Sequence, residues 1–294
     1  MSLSPLDRPH VSLGHGEPLP LPVVGWGVTE ALAALEAARP ALDVELGGPL
    51  PVSALTTVVL RCGAHAVKVY PPGTDAAHLE GLRLALAGST CALLPSEPPV
   101  VTDHGVVVVM PWLSVSGAAS WPATGRLLRA FHDQTAALDV PAWTPLSRLP
   151  GQVASLPAEQ AAVLLGARAE LLAALSSVHS ELGVGPVHGD VSPSNALHTD
   201  AGPLLIDLDW VARAPREHDL ASAARRLAAG EITRREYAGF CAAYGHDVRG
   251  WPGLELLDRV ADLGGVAFRL WDDRHHGRDL GWLEAELRHW RTPL

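Results

Sequence analysis

The sequence predicts an α+β protein of two lobes, a small antiparallel β lobe over residues 1–111 and a larger, mainly helical lobe over residues 112–294. Short runs of β-branched residues separated by turn residues are concentrated in the first lobe. Alanine- and leucine-rich stretches with helical spacing fill most of the second lobe. With 48% hydrophobic residues among 294, the chain can bury a core of this size.

The elements of the small lobe follow from its local patterns. Residues 1–27 are rich in proline and glycine and predict an irregular lead-in, followed by a helix over residues 28–38. Strands are predicted over residues 44–46, 56–61, 66–70, 100–101 and 106–110. The turn Pro71-Pro72-Gly73 ends the third strand, and helical spacing over residues 75–87 predicts a helix directly after it. We therefore expect five strands and one helix in the body of this lobe.

The larger lobe contains long helical patterns and one short β-hairpin. Helices are predicted over residues 125–138, 158–182, 219–229, 234–244 and 254–271. The hairpin is predicted from residues 195–198 and 204–208, which flank a Thr-Asp-Ala-Gly turn at residues 199–202. The residues of chemical interest are concentrated around this hairpin.

Composition excludes several classes of partner. The formal net charge is -10, with 32 acidic and 22 basic residues, so nucleic acid is not expected as a partner. Three widely spaced cysteines favour reduced thiols over disulfides or a zinc site. The longest apolar run, residues 106–113, is too short to span a membrane, and Asp7, Arg8 and His10 interrupt any secretory signal. These features predict a cytoplasmic protein without a membrane partner, and they carry no signal for an oligomeric state.

The most informative motif is His188-Gly189-Asp190, followed after four residues by Asn195 and then by an Ile-Asp-x-Asp segment that contains Asp207. Phosphoryl transfer requires a carboxylate that orients and deprotonates the acceptor hydroxyl, together with hard oxygen ligands for Mg²⁺. Pro193 keeps the intervening loop from becoming a helix. We expect Asp190, Asn195 and Asp207 to converge, the last two on paired strands of the hairpin.

This motif resembles the aminoglycoside phosphotransferase and choline kinase family, whose fold is related to that of protein kinases. The resemblance implies a protein-kinase-like two-lobe fold, ATP or GTP as co-substrate, Mg²⁺ and a small-molecule hydroxyl acceptor. It implies that Asp190 is the catalytic base, that Asn195 and Asp207 bind Mg²⁺, and that His188 braces the loop. Asp219 corresponds to a buried aspartate that supports the catalytic loop, and residues 129–132 to a lobe-joining helix.

The resemblance also assigns nucleotide-binding residues. Lys68, on a predicted strand, is expected to contact the α- and β-phosphates, with Glu80 on the following helix as its ion-pair partner. Backbone groups near Met110 and Trp112 correspond to the hinge that binds the base. The segment 49–55, interpreted as the loop between the first two strands, contains no glycine for close approach to phosphate. Ser53 in that segment is expected to contribute its hydroxyl and amide instead.

The leading interpretation is a kinase that moves the γ-phosphoryl group to a hydroxyl of an aminoglycoside-like molecule, amino alcohol or sugar. The glycine-free segment leaves open a non-catalytic, nucleotide-binding regulatory protein on the same fold. A metal hydrolase built on His188, Asp190 and the His275-His276 pair is the third alternative. Asp209 is either a second metal-assisting carboxylate or a strand-end anchor. Residues 272–279 are interpreted as a charged surface loop, and Asp258 with Asp262 either as solvated acids or as part of an acceptor site.

Overall fold

The structure is a computed structural model that describes residues 18–200 and 202–294. The predictions for residues 1–17, part of the irregular lead-in without a secretory signal, lie outside the described residues. The chain divides into two compact units. The described part of the first comprises residues 18–22, Trp26–Ala85 and Pro95–Pro111. The second comprises Val23–Gly25, Leu86–Leu94 and Trp112–Leu294.

An antiparallel sheet of five strands forms the first unit, in the order β1-β2-β3-β5-β4. Its elements in chain order are α1 (Val28–Ala38), β1 (Pro49–Ala54), β2 (Val58–Cys62), β3 (His65–Tyr70), α2 (Ala76–Ala85), β4 (Val100–Thr102) and β5 (Gly105–Pro111). The helix predicted over residues 28–38 and four of the five predicted strands are confirmed, the strands within two residues at each end.

The four consecutive valines of β5 are buried because both faces of the sheet are covered. Val107 and Val109 lie in the same apolar cluster as Leu35 of α1. Val106 and Val108, on the opposite face, cluster with Leu79 of α2. Alternate side chains of a strand point to opposite faces, so a continuous apolar run is expected where helices pack on both sides.

The first strand was predicted in the wrong place. Residues 44–46 are not a strand; the Leu46 carbonyl accepts a hydrogen bond of 3.0 Å from Arg39 Nη1. Residues 49–54, predicted as a loop, form β1 instead. Its prolines conceal the strand, although an edge strand tolerates proline, and the pairing with β2 is irregular between Pro51 and Ser53. The turn between β1 and β2 is Leu55-Thr56-Thr57, closed by a backbone bond of 3.0 Å from Leu55 to Thr57.

The second unit is mainly helical, with two small antiparallel sheets of order β10-β7 and β6-β8-β9. Its elements in chain order are β6 (Val115–Ala118), α3 (Trp121–Gln134), α4 (Leu149–Val153), α5 (Ala158–Leu175), β7 (Val184–Val187), β8 (Ala196–Thr199), β9 (Gly202–Leu205), β10 (Ala212–Pro215), α6 (Glu217–Ala228), α7 (Arg234–Tyr244), α8 (Leu254–His275) and α9 (Leu283–Trp290). One core joins α3, α6 and α7, and a second joins α4, α5, α8 and α9.

Helix boundaries differ from prediction where side chains cap the ends. Helix α3 begins four residues earlier than expected because the Ser120 hydroxyl accepts from the Ala123 amide, with Pro122 in the first turn. Helix α5 ends at Leu175, where the hydroxyls of Ser176 and Ser177 bond back to carbonyl groups one turn earlier. No helix among the described residues combines the length and apolar character needed to cross a bilayer.

Candidate active site

The loop that follows β7 is held by a buried carboxylate. Asp219, in the first turn of α6, is 1% exposed. Its Oδ2 accepts the His188 amide at 2.7 Å, and its Oδ1 accepts the Gly189 amide at 2.8 Å. Two consecutive backbone amides are thereby fixed immediately before Asp190, whose side chain is exposed. The predicted support of the loop by Asp219 thus has a direct geometric basis.

His188 connects this loop to the segment that contains Asp207. The Asp190 amide donates to His188 Nδ1 at 3.3 Å, so Nδ1 carries no proton. Nε2 therefore holds the proton and donates to the Ile206 carbonyl at 2.9 Å. The imidazole is fully buried and fixed in one tautomer, which gives the predicted bracing of the loop by His188 a physical basis.

Position 189 of this loop requires glycine. Its φ angle is +86°, a left-handed conformation that side chains disfavour. A Cβ there would lie 2.4 Å from the Trp210 carbonyl oxygen and 2.6 Å from Trp210 Cβ. The glycine therefore allows the chain after Asp207 to pack directly on the catalytic loop.

Two contacts link the three predicted site residues Asp190, Asn195 and Asp207. One is made by the side-chain amide of Asn195, and the other is a backbone hydrogen bond. Asn195 Nδ2 donates to both the carbonyl oxygen and Oδ2 of Asp190, each at 2.9 Å. The Asn195 carbonyl accepts the Ile206 amide at 2.9 Å, which places Asp207 next in the chain. The predicted convergence is therefore present in the backbone, although the three roles themselves remain predictions.

The positions of Asn195 and Asp207 differ from the predicted ones. They do not lie on the paired strands; Asn195 ends a short 3₁₀ turn that begins at Pro193, and β8 starts one residue later. Asp207 lies two residues after β9, with φ 61° and ψ 61°. This left-handed conformation is strained for a residue other than glycine, and such strain is concentrated at functional sites.

The donor set suits Mg²⁺ better than zinc. Because Asn195 turns its amide nitrogen toward Asp190, its amide oxygen faces away from Asp190 and is an oxygen donor of the hard type that Mg²⁺ prefers. Mg²⁺ is commonly held by one or two carboxylates together with substrate phosphates. Within residues 18–200 and 202–294, no group of three His, Cys, Asp or Glu side chains is arranged to hold a metal. That finding gives the hydrolase alternative no support.

The electrostatics of Asp219 favour its ionised form. Burial by itself would raise the pKa of this carboxyl group, but hydrogen bonding and charge from His132 and His218 outweigh burial and hold the pKa well below its usual range. His132 Nε2 lies 2.9 Å from Asp219 Oδ2, and His218 Nδ1 lies 3.7 Å from Oδ1. An ionised carboxylate has enough acceptor sites for all of these donors.

Sequence reasoning missed Glu217, a second buried carboxylate of α6. Glu217 is completely buried and accepts the Ser180 hydroxyl at 2.7 Å. Its other oxygen accepts the amides of Glu181 and Leu182 at 2.5 and 2.8 Å. It therefore fixes the turn that leads into β7. Its spacing of two residues from Asp219 was the available signal, but the helix had been predicted to begin only at residue 219.

Apart from Ser53, the residues predicted to bind the nucleotide lie on three different elements of the first unit and in the second unit. Lys68 on β3 is 8% exposed, with its ammonium nitrogen 5.1 Å from the centre of the Tyr70 ring. Glu80 on α2 forms two hydrogen bonds to Arg83, at 2.6 and 2.7 Å. Met110 lies near the end of β5. In the second unit, Trp112 directly follows β5 and is partly buried.

Ser53 requires a correction. It is exposed on the edge strand β1 and does not lie in a loop between strands. The reason is the strand placement described above, in which the proline-rich segment is β1 itself. The turn Leu55-Thr56-Thr57 is also free of glycine.

The acidic and histidine-rich residues 272–279 form a structural junction. Asp273 accepts hydrogen bonds from Arg278 Nε at 2.5 Å and from the Trp282 indole at 2.8 Å, and Asp272 also pairs with Arg278. These contacts tie the end of α8 to the start of α9. Part of the predicted loop is the last turn of α8, which extends to His275.

The two acids of α8 singled out from the sequence are not equivalent. Asp258 forms an ion pair of 3.3 Å with Arg225 of α6. Asp262, one turn further on, is exposed. Asp258 therefore joins two helices. Its two predicted roles, as a solvated acid or as part of an acceptor site, remain predictions.

Comparisons with known proteins give the class and the family. Residues 62–257 match the sequence profile of the phosphotransferase enzyme family. None of the curated proteins matches the chain's sequence. Among solved structures, a choline/ethanolamine kinase family protein from Mesorhizobium loti is similar over 90% of this chain and 100% of its own, with 18% identity and a TM-score of 0.55. A choline kinase from Streptococcus pneumoniae is similar over 88% and 96%, with 15% identity and a TM-score of 0.57.

An amicoumacin kinase, solved with AMP-PNP, Ca²⁺ and its ligand Ami, has a TM-score of 0.64 at 13% identity over 88% of this chain and 92% of its own. These similarities confirm the protein-kinase-like α+β fold. Together with the profile match they define the protein as an enzyme, a small-molecule kinase. The chain belongs to the phosphotransferase enzyme family, which confirms the predicted resemblance to aminoglycoside phosphotransferases and choline kinases.

Proposed function

We propose that this protein transfers the γ-phosphoryl group of ATP or GTP to a hydroxyl group of a small molecule, with Asp190 as the catalytic base. The observation that carries the proposal is the clamp of Asn195 on Asp190. Two hydrogen bonds of 2.9 Å fix the backbone and one carboxylate oxygen of Asp190. The other carboxylate oxygen, Oδ1, then serves the acceptor hydroxyl.

In this mechanism the chain supplies position and charge. Asp190 orients the acceptor hydroxyl and takes its proton as the new oxygen–phosphorus bond forms and the bond to the nucleoside diphosphate breaks. The amides fixed by Asp219 hold the loop so that the carboxylate does not have to reorganise. Asn195 and Asp207 would hold Mg²⁺, which would neutralise charge on the transferring phosphates.

Nucleotide binding is proposed for a further set of residues. The solved amicoumacin kinase contains AMP-PNP, which supports a nucleoside triphosphate as co-substrate. Lys68 is proposed to bind its phosphates, with Glu80 as a supporting carboxylate. Backbone groups of Met110 and Trp112 are proposed to bind the base. The hydroxyl and amide of Ser53 are proposed to contact the nucleotide, which requires the edge strand β1 to lie close to it.

The acceptor is proposed to be aminoglycoside-like, an amino alcohol or a sugar. Solved structures of the same fold include choline kinase, amicoumacin kinase and spectinomycin phosphotransferase. Asp209 lies in the 3₁₀ turn that directly follows Asp207. It is proposed either to assist the metal as a second carboxylate or to anchor the end of the strand. The three free cysteines and the net charge of -10 support a cytoplasmic location and argue against nucleic acid.

The test is Mg²⁺-dependent production of ADP or GDP by the purified protein with aminoglycosides, choline, homoserine, methylthioribose and sugars. Asp190→Ala should abolish acceptor-stimulated turnover while nucleotide affinity and thermal stability stay near wild type. Asp133→Ala, which removes an exposed carboxylate of α3, is the matched control and should retain full turnover. An active Asp190→Ala enzyme would refute the proposed mechanism.

A non-catalytic, nucleotide-binding regulatory protein is the second candidate. The glycine-free turn Leu55-Thr56-Thr57 favours it, because bulky residues hinder close approach of backbone amides to phosphate. Saturable nucleotide binding by calorimetry, without phosphoryl transfer to any acceptor of the panel, would support this candidate. Turnover with any acceptor would exclude it.

A further inference from the structure

A partly exposed tryptophan lies beside the proposed catalytic base. Trp210 ends the 3₁₀ turn that follows Asp207, and it is 40% exposed. A Cβ at Gly189, the residue before Asp190, would lie 2.6 Å from Trp210 Cβ. The base of the indole side chain therefore packs directly on the catalytic loop. A large aromatic side chain that stays open to solvent next to a reactive group is typical of a ligand-binding surface.

An arginine lies over this indole. Arg148 directly precedes α4, and its Cζ is 4.6 Å from the centre of the Trp210 ring. A guanidinium over an aromatic face gains cation–π attraction, while its N–H donors lie in its own plane. Five such donors allow one arginine to hold a ligand in addition to its contacts within the protein.

The backbone that leads to Arg148 is strained. Leu146 has φ 57°, and among the described residues it and Asp207 are the two positions other than glycine with a positive φ. The Leu146 carbonyl accepts a hydrogen bond of 3.0 Å from Arg168 Nε of α5. Strain of this kind persists only where the surrounding structure enforces it, and it is concentrated at functional sites. The fold itself therefore sets the position of Arg148.

A partly buried cation at this position distinguishes ligands by their charge. A carboxylate or phosphate group next to the indole would accept charge-assisted hydrogen bonds from the guanidinium, whose planar geometry matches both groups. An ammonium group would meet a like charge instead. The aromatic face that would otherwise attract such a cation already carries the guanidinium of Arg148.

We infer that Arg148 is a specificity-determining residue of the acceptor site, and that it selects a hydroxyl compound that carries a carboxylate or phosphate group. Trp210 supports the guanidinium, and the exposed part of its indole packs on the carbon skeleton of the acceptor. The inference rests on the proposed function and narrows its acceptor to an anionic compound such as an acidic sugar. Choline and polycationic aminoglycosides are the acceptors that Arg148 disfavours.

The experiment measures binding by calorimetry for compounds that share a skeleton and differ in charge, with AMP-PNP and Mg²⁺ present. Glucuronate, glucose 6-phosphate, glucose and glucosamine carry a carboxylate, a phosphate, no charge and an ammonium group. Glycerate, glycerol 3-phosphate, glycerol and aminopropanediol repeat the comparison on a smaller skeleton. In one of the sets, an anionic compound should bind about 10- to 100-fold more tightly than the cationic one. The tighter of the two anions then distinguishes a carboxylate ligand from a phosphate ligand.

Three variants assign the preference to Arg148. Arg148→Gln keeps a long polar side chain without the charge, and it should weaken binding of the anion by about 10- to 100-fold with binding of the neutral compound unchanged. Arg148→Lys keeps the charge without the planar fork and should retain part of the preference. Arg234→Gln, which removes an exposed cation at the start of α7, is the matched control and should bind as wild type does. Urea unfolding of each variant checks that the fold is intact.

Three results would each overturn the inference. They are equal binding of anionic and cationic compounds by the wild type, binding of none of the anionic compounds, and an unchanged preference in Arg148→Gln. Calorimetry reads binding without turnover, so the two proposals fail separately. If the anion preference depends on Arg148 but Asp190→Ala retains turnover, the proposed mechanism fails and the role of Arg148 in recognition stands.

Discussion

Gly189→Ala is the substitution whose effect follows most directly from the structure. The added Cβ would lie 2.4 Å from the Trp210 carbonyl oxygen, whereas a carbon–oxygen contact needs about 3.3 Å. The catalytic loop and the chain at Trp210 must therefore separate by about 0.9 Å. A shift of that size next to Asp190 should lower kcat by about 100-fold.

The stability cost has two parts. Placing an L-residue at φ +86° costs about 1–2 kcal/mol, and overpacking against Trp210 adds about 1–3 kcal/mol. Gly183 is the matched control, because its φ is +80° and a Cβ there would meet no atom within 4 Å. Gly183→Ala should therefore lose only the first part and keep full activity.

The assay is urea-induced unfolding of both variants, combined with turnover of the acceptor identified by the panel. We expect Gly189→Ala to unfold at a lower urea concentration than Gly183→Ala, by about 1–3 kcal/mol in unfolding free energy. Equal stability of the two variants together with wild-type turnover by Gly189→Ala would show that the contact with Trp210 does not constrain the loop.

Glu217→Ala should lower the free energy of unfolding by about 3 kcal/mol, since three partly buried hydrogen bonds to the carboxylate are lost at about 1 kcal/mol each. Glu217→Gln should recover most of this loss, and equal losses in the two variants would contradict this account. Asp273, whose pKa is held below its usual 3.8 mainly by Arg278, stabilises the fold above that pH and loses this contribution as the pH falls through its lowered pKa. Melting temperatures measured from pH 7 to pH 2 should therefore fall less steeply at the acid end in Asp273→Asn, and parallel curves would refute the assignment. Thr233→Ala removes the acceptor of the Glu236 amide and should cost about 1 kcal/mol in urea unfolding without changing kcat; a larger loss of kcat would point to a second role.

Local signals in the sequence predicted some elements to the residue. Helix α7 was predicted with its observed bounds from its helical spacing. In the structure Thr233 and Glu236 form a reciprocal capping box at its start, and Gly245 takes the left-handed conformation after its last turn. Such signals act within a few residues of one another. Sequence reasoning therefore finds them without knowledge of the fold.

The remaining features depend on tertiary structure or on conformations that have no sequence signature. Strand β1 was not predicted because its prolines are compatible both with a loop and with an edge strand. The left-handed backbone of Asp207 could not be read from its residue type, so the residue was placed on a strand. The contact of His132 with Asp219 spans 87 positions of the chain, and a histidine in a helical pattern gives no sign of such a partner.

The prolines of β1 also bear on how the protein behaves at high concentration. In the sheet formed by the described residues, β1 has a neighbour on one side only, and it exposes Leu50 and Val52. Exposed apolar side chains on an open edge invite a strand from another molecule to pair and start an aggregate. Pro49 and Pro51 contribute no N–H donor to such a pairing, and the irregular register after Pro51 disturbs the edge further. Replacing these prolines would therefore remove a protection against self-association.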